Sequence, residues 1–230
     1  MRDLSRDHIV IAIDGPAGAG KSTVARILAK KLGIVLLDTG GLYRVMALHL
    51  MRNGVDPEQK SIPSEVLQAF NLQIEPEIAF MRLFLDGEEV THLIRDEQIG
   101  VAASKFSARP EIRKALLEPQ RSAAAKCSLV AEGRDMGTVV FPHAAVKFFV
   151  TADLEERSRR RYLELLNRGQ EADFQQILDD IRARDLRDQT RQEAPLIQAE
   201  DAIFINTTDL SPERVLQLMI FWIEERVSLP

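Results

Sequence analysis

A single cysteine, Cys127, stands among the 230 residues, so the chain forms no internal disulfide and shows no cysteine spacing of a metal site. As a lone thiol, Cys127 reads as a small buried apolar residue before it reads as a nucleophile. Long apolar runs are also missing: none reaches the roughly 18 residues that a membrane-spanning helix requires. The opening MRDLSRDH lacks the apolar stretch of a secretory leader and reads as a polar lead-in. Nor is there an excess of basic charge. The net charge is −5, which argues against a general nucleic-acid binder, although local arginine clusters can still hold phosphates. These absences describe a cytoplasmic protein of one compact domain, with neither membrane nor nucleic acid as partner.

What is present is alternation. Short, nearly continuous apolar runs occur at HIVIAID (8–14), IVLLD (34–38), SLVAEG (128–133), VKFFVTA (146–152) and AIFINT (202–207). Such runs are expected of strands covered on both faces. Amphipathic stretches separate them at 21–32, 41–53, 109–125, 153–167, 174–190 and 211–227. The pattern predicts an α/β fold, a doubly wound parallel sheet of five strands with helices on both faces.

Two regions interrupt it. Residues 57–105 contain strand-like segments around Asp86-Gly87, a hairpin signal, and read as a small insertion. Residues 153–191 crowd nine arginines, Arg157, Arg159, Arg160, Arg161, Arg168, Arg182, Arg184, Arg187 and Arg191, with Gly169 placed where a bend could fall. Their interleaved acids also suit an ordinary solvated helix face.

The sharpest motif is Gly15-Pro16-Ala17-Gly18-Ala19-Gly20-Lys21-Ser22, followed by Thr23. It fits G-x-x-x-x-G-K-[ST], follows the strand VIAID and opens a helix, as a phosphate-binding loop must. The glycines let backbone N–H groups turn around phosphate oxygens, and the helix N-terminus adds its positive dipole. Lys21 should reach the β- and γ-phosphates, and the Ser22 hydroxyl should ligate Mg²⁺. A GTPase would need [NT]-K-x-D after a later strand, and none is present; Asp38-Thr39-Gly40-Gly41 alone is a weak match. Glu132 ends a strand as the acidic residue of an ATPase would, but that reading leaves Gly133-Arg134-Asp135 unexplained.

A small phosphotransferase explains more. Ligands of open α/β sheets bind beyond the carboxyl ends of the strands. DTGGLYR and AEGRD both follow strands, so Arg44 and Arg134 can converge on one anion. Arg184, Asp188 and Arg191 fall at i, i+4 and i+7, on one helix face.

Together GPAGAGKST, LLDTGGLYR, EGRDMGTVVFP and RDLRDQTR resemble the bacterial cytidylate kinases, nucleoside monophosphate kinases of the P-loop type, over nearly the whole chain. Gly41 stands where that family often has alanine, and Thr39 where it has serine. The resemblance implies the three-layer P-loop kinase fold, with 57–105 as the subdomain for the acceptor nucleotide and 153–191 as an arginine-rich helical lid. It implies ATP as donor with Mg²⁺, CMP and dCMP as acceptors, and a monomer. Arg44, Arg134 and Arg191 would hold the acceptor phosphate and, with Lys21, carry the transfer. Thr39 and Tyr43 would lie at the acceptor, Arg184 and Asp188 at its ribose, and Ser104, Arg113 and Asp135 at its base. Arg157 and Arg161 would approach the ATP phosphates. A kinase for UMP or another acceptor, and a nucleotide-sensing module without one, stay open as alternatives. The acceptor phosphate is itself a nucleophile, so His8, His49, His92 and His143 need no catalytic role.

Overall fold

In the computed structural model, which describes residues 8–59 and 61–227, five parallel strands form the central sheet in the order β2-β6-β1-β7-β8. They are β1 (Val10–Asp14), β2 (Val35–Asp38), β6 (Leu129–Gly133), β7 (Val146–Thr151) and β8 (Ile203–Asn206). The polar lead-in at residues 1–7 lies outside the described residues. All five strands expected from apolar runs are present. In β6 every residue is buried, as a central strand with both faces covered demands.

On one face lie α1 (Lys21–Leu32) and α8 (Pro212–Arg226), packed over a cluster that includes Ile11, Ile13, Leu28, Phe148 and Met219. On the other lie α2 (Thr39–Arg52) and α5 (Pro110–Ala124). Helix α2 starts two residues before the expected 41, because the Asp38 carboxylate accepts from the Gly41 N–H at 3.0 Å and caps it earlier.

Residues 57–105 hold α3 (Ser64–Gln68), an antiparallel sheet of β3 (Leu72–Glu77), β4 (Phe80–Leu85) and β5 (Glu88–Glu89), a 3₁₀ turn at Leu93–Arg95 and α4 (Glu97–Phe106). Asp86 and Gly87, both with positive φ, make the expected tight turn between β4 and β5. Met81, Leu83, Leu85, Ile94 and Phe106 share one apolar cluster with Leu37 of β2 and with Leu42 and Leu116 of the helices beside it. The arginine-rich region folds as α6 (Leu154–Asn167) and α7 (Phe174–Thr190), with Gly169 at φ +72° between them. Among the described residues no helix is long and apolar enough to cross a membrane.

Candidate functional site

The carboxyl ends of β1, β2, β6 and β7 all open on one edge of the sheet, and the phosphate loop, DTGGLYR, the Arg134-Asp135 segment and the arginine-rich region leave from there. The phosphate loop follows β1. Gly15 passes so close to β7 that a Cβ there would lie 1.8 Å from the Val150 carbonyl oxygen. Gly18, at φ +75°, lies against Arg157, whose Cβ would be 3.0 Å from an added methyl. The loop thus needs its glycines for conformation and for clearance.

Lys21 is buried and its ammonium donates to the Pro16 carbonyl at 2.7 Å. Burial lowers its pKa, and the Arg134 guanidinium adds to the effect against the pull of Glu132. The Ser22 hydroxyl donates to Glu132 Oε1 at 2.7 Å. Glu132 is buried at the end of β6, and its Oε2 has no hydrogen-bond partner. Burial and the neighbouring Asp38 carboxylate raise its pKa. The sequence marked Glu132 as an acidic strand end, and the contact with Ser22 gives that mark its meaning.

Opposite the loop stands a group of arginines. Arg134 Nε donates to Asp188 Oδ2 at 2.9 Å. Burial opposes its charge, but Asp188, with Glu132 and Asp185, outweighs it and the pKa rises. Arg184 feels the charges of both Arg134 and Asp188, and its buried Nε has no partner. Burial and Arg134 lower its pKa to about 10. Arg191 Nη1 lies 3.8 Å from Asp188 Oδ1, and its Nη2, 3.7 Å from Asp135 Oδ1, has no hydrogen-bond partner. Unmet buried guanidinium donors are what an anion-binding cavity presents before its anion arrives.

At the far end, Arg113 Nη2 donates to Asp135 Oδ2 at 2.5 Å in a buried pair, and Arg113 Nη1 donates to the Ser107 carbonyl at 3.1 Å. The guanidinium also stacks 5.4 Å from the Tyr43 ring centre. Burial raises the Tyr43 phenol to about 12, so the ring is a neutral platform. Ser104 on α4 is buried, with its hydroxyl unpaired. The Thr39 hydroxyl donates to the Glu132 carbonyl at 2.7 Å.

Three arginines are placed differently from the rest. Arg44 donates to the Ile94 and Asp96 carbonyls at 2.8 and 3.1 Å, at the rim of the group. Arg157 is turned to the phosphate loop: Nη1 donates to the Ala17 carbonyl at 3.0 Å and to Asp185 Oδ2 at 2.6 Å. Arg161 instead pairs with Glu97 of α4 at 2.9 Å and with Glu164 at 3.1 Å, away from the loop. Two residues beside the loop have no site role in the sequence reading. Asp185, one turn before Asp188, holds Arg157. Arg160, held by the Thr207 carbonyl and hydroxyl, lies against Gly20. Nothing in the run Arg159-Arg160-Arg161 separates Arg160 from Arg159, which pairs with Glu156 in solvent.

A phosphate loop facing clustered buried arginines, with a separate polar pocket beyond them, defines a P-loop kinase for a small phosphorylated acceptor. The sequence model of the cytidylate kinase family matches residues 11–225, and the chain belongs to that family. The cytidylate kinase of Pasteurella multocida (strain Pm70) is 44% identical over 223 residues, covering 97% of this chain and 98% of the relative. That of Pseudomonas savastanoi pv. phaseolicola (strain 1448A / Race 6) is 48% identical over 213 residues, covering 92% and 93%. Among solved structures, an uncharacterized protein from Eubacterium ventriosum ATCC 27560 superposes with a TM-score of 0.54. It is 16% identical, covers 96% of this chain and 100% of its own, and supports the fold alone.

Proposed function

We propose that the protein transfers the terminal phosphoryl group of ATP to CMP, giving ADP and CDP, and that dCMP is also an acceptor. Family membership supports the reaction, and one observation supports the site: the buried Arg184 Nε and Arg191 Nη2 have no hydrogen-bond partner, beside Arg134 and the Arg113–Asp135 pair.

Residues 15–23 cradle the donor phosphates, and Arg157 covers that loop. Arg134, Arg191 and Arg44 receive the acceptor phosphate, Arg184 and Asp188 its ribose, and Ser104, Arg113 and Asp135 its base, with Thr39 and Tyr43 beside them. Residues 57–105 form the acceptor side and 153–191 the lid, on which Arg161 ties α6 to α4. The acceptor phosphate is already anionic, so no general base is required. Catalysis is positioning and charge stabilisation by Lys21 and the arginines.

The Ser22 hydroxyl and the unpartnered Glu132 Oε2 are hard oxygen donors, and they fit Mg²⁺. Ser22 would hold the ion with Glu132 behind it. Bound there, Mg²⁺ would supply positive charge to offset that of the donor phosphates. The enzyme works as a cytoplasmic monomer in this reading. ADP release measured over CMP, dCMP, UMP, AMP and shikimate tests it. CMP and dCMP should lead, and equal or greater turnover with another acceptor would overturn the assignment.

A further inference from the structure

Asp14 is the last residue of β1, immediately before the phosphate loop, and it is buried. Both oxygens of its carboxylate are taken up by backbone donors. Oδ1 accepts from the Met136 N–H at 2.8 Å and Oδ2 from the Gly137 N–H at 2.7 Å. These two donors open a single π-helical turn, Met136–Val140, directly after Arg134 and Asp135. The other end of the turn is held as well: Arg121 of α5 donates from Nε to the Val140 carbonyl at 3.1 Å and from Nη2 to the Val139 carbonyl at 3.0 Å. An acid at the N–H end and a base at the carbonyl end match the turn's dipole. π-helical turns are costly and occur mostly at functional sites, where something must hold them. Strand pairing of β6 with β1 and β2 and the side-chain pairs Arg134–Asp188 and Arg113–Asp135 hold this segment from one side, and the clamp holds the backbone that follows it.

We propose that Asp14 and Arg121 are positioning residues for the acceptor: by clamping the 136–140 turn at both ends they aim Arg134 and Asp135, and Asp14 makes the donor loop and the acceptor segment one rigid unit. This rests on Arg134 and Asp135 receiving CMP. Neither residue touches a nucleotide. A misplacement of about 1 Å in such a segment can cost on the order of 10²-fold in rate.

The test is a double-mutant cycle at pH 8, where the CMP phosphate is fully ionised, reading KM for CMP and ATP separately. Asp14→Asn keeps shape but turns one acceptor into a donor. It should raise KM for CMP at least about tenfold while KM for ATP stays within about twofold. Arg134→Met should raise KM for CMP on its own account. The double variant should then be little worse than Arg134→Met, since aiming a missing arginine gains nothing. Additive effects, or equal rises for ATP and CMP, would mean that Asp14 only stabilises the fold and would overturn the proposal. If Arg134→Met leaves KM for CMP unchanged, the acceptor site itself is misassigned. Should Asp14→Asn fail to fold, Arg121→Met carries the test, because Arg121 is on the surface. A rise of about threefold or more in KM for CMP alone supports the clamp, and an unchanged value overturns it.

Discussion

Arg113 and Asp135, 22 residues apart in sequence, form a buried ion pair with Asp135 Oδ1 left free of any hydrogen bond from Arg191. The arrangement suits cytosine. Its N4 amino group can donate to the carboxylate, while N3 and O2 accept from the guanidinium. Uracil reverses two of these positions, and a mismatched polar group in a closed site costs on the order of 1–3 kcal/mol. Asp135→Ala should therefore lower kcat/KM for CMP more than for UMP, narrowing the preference by about 10–100-fold, with KM for ATP almost unchanged. Equal losses for both acceptors would make Asp135 a scaffold. Because the variant leaves Arg113 buried alone, denaturant unfolding should also show a loss of about 3 kcal/mol.

In the proposed site Arg134 receives the acceptor phosphate, which CMP and UMP share. Arg134→Ala should cut kcat/KM for both alike, by about 10–100-fold for a charge-assisted contact. A variant that spared one acceptor would show that Arg134 belongs to the base pocket. The side-by-side comparison with Asp135→Ala separates two neighbours whose side chains leave in different directions.

Lys21→Met should abolish transfer while circular dichroism stays native. It also has a signature in stability. Burial lowers the folded-state pKa of Lys21 below that of an unfolded lysine, about 10.4, so in the window between the two the unfolded chain binds more protons. Stability of the free enzyme should then rise with pH through that window, and the rise should be smaller in Lys21→Met. Identical pH–stability curves would show that Lys21 is not a buried cation.

Much of this was legible in the sequence, for physical reasons. The five strands read as apolar runs because the parallel sheet is covered on both faces, and the phosphate loop is defined by backbone clearances that only glycine meets, as at Gly15. Strand order was not legible, since neighbours such as β6 and β1 are set by tertiary packing over more than 100 residues. Helix α4 was hidden inside an apparent insertion, although Asp96 caps it in the ordinary way, accepting from Gln98 N–H at 2.8 Å. The site's partnerships were the least visible part. Arg113 with Asp135, Arg157 with Asp185, and Ser22 with Glu132 join residues that share no local pattern. Family resemblance supplied the residues, and only the geometry shows which charges offset which.

The lid reading makes a prediction about motion. Helices α6 and α7 reach the body of the protein through charged contacts: Arg157 to Ala17, Arg161 to Glu97, and Asp188 to Arg134. Exposed pairs such as Arg161–Glu97 contribute at most about 1 kcal/mol, so they hold the segment weakly until phosphates engage the arginines. Hydrogen exchange across 153–191 should slow when ATP and CMP analogues are both present, and by more than with either alone. Unchanged protection would count against closure.

Glu132 provides the last test, because its two oxygens are treated so differently. Oε1 accepts from the Ser22 hydroxyl, which fixes the direction of that hydroxyl's lone pairs toward the loop. Oε2 is buried without a partner, and burial with the Asp38 charge nearby raises the group's pKa. Lys21, Ser22 and Arg134 favour the carboxylate but do not outweigh its burial, so a bound cation would relieve the remaining cost. Glu132→Gln keeps the shape and an oxygen able to accept from Ser22, and removes the charge. The free variant should be at least as stable as the parent in thermal unfolding. Its half-saturating Mg²⁺ concentration should rise about 10–100-fold, the usual cost of losing a supporting carboxylate, while KM for CMP stays within about twofold. A destabilised variant with an unaltered Mg²⁺ requirement would show that Glu132 is a spacer for Ser22, with its charge offset by Lys21 alone.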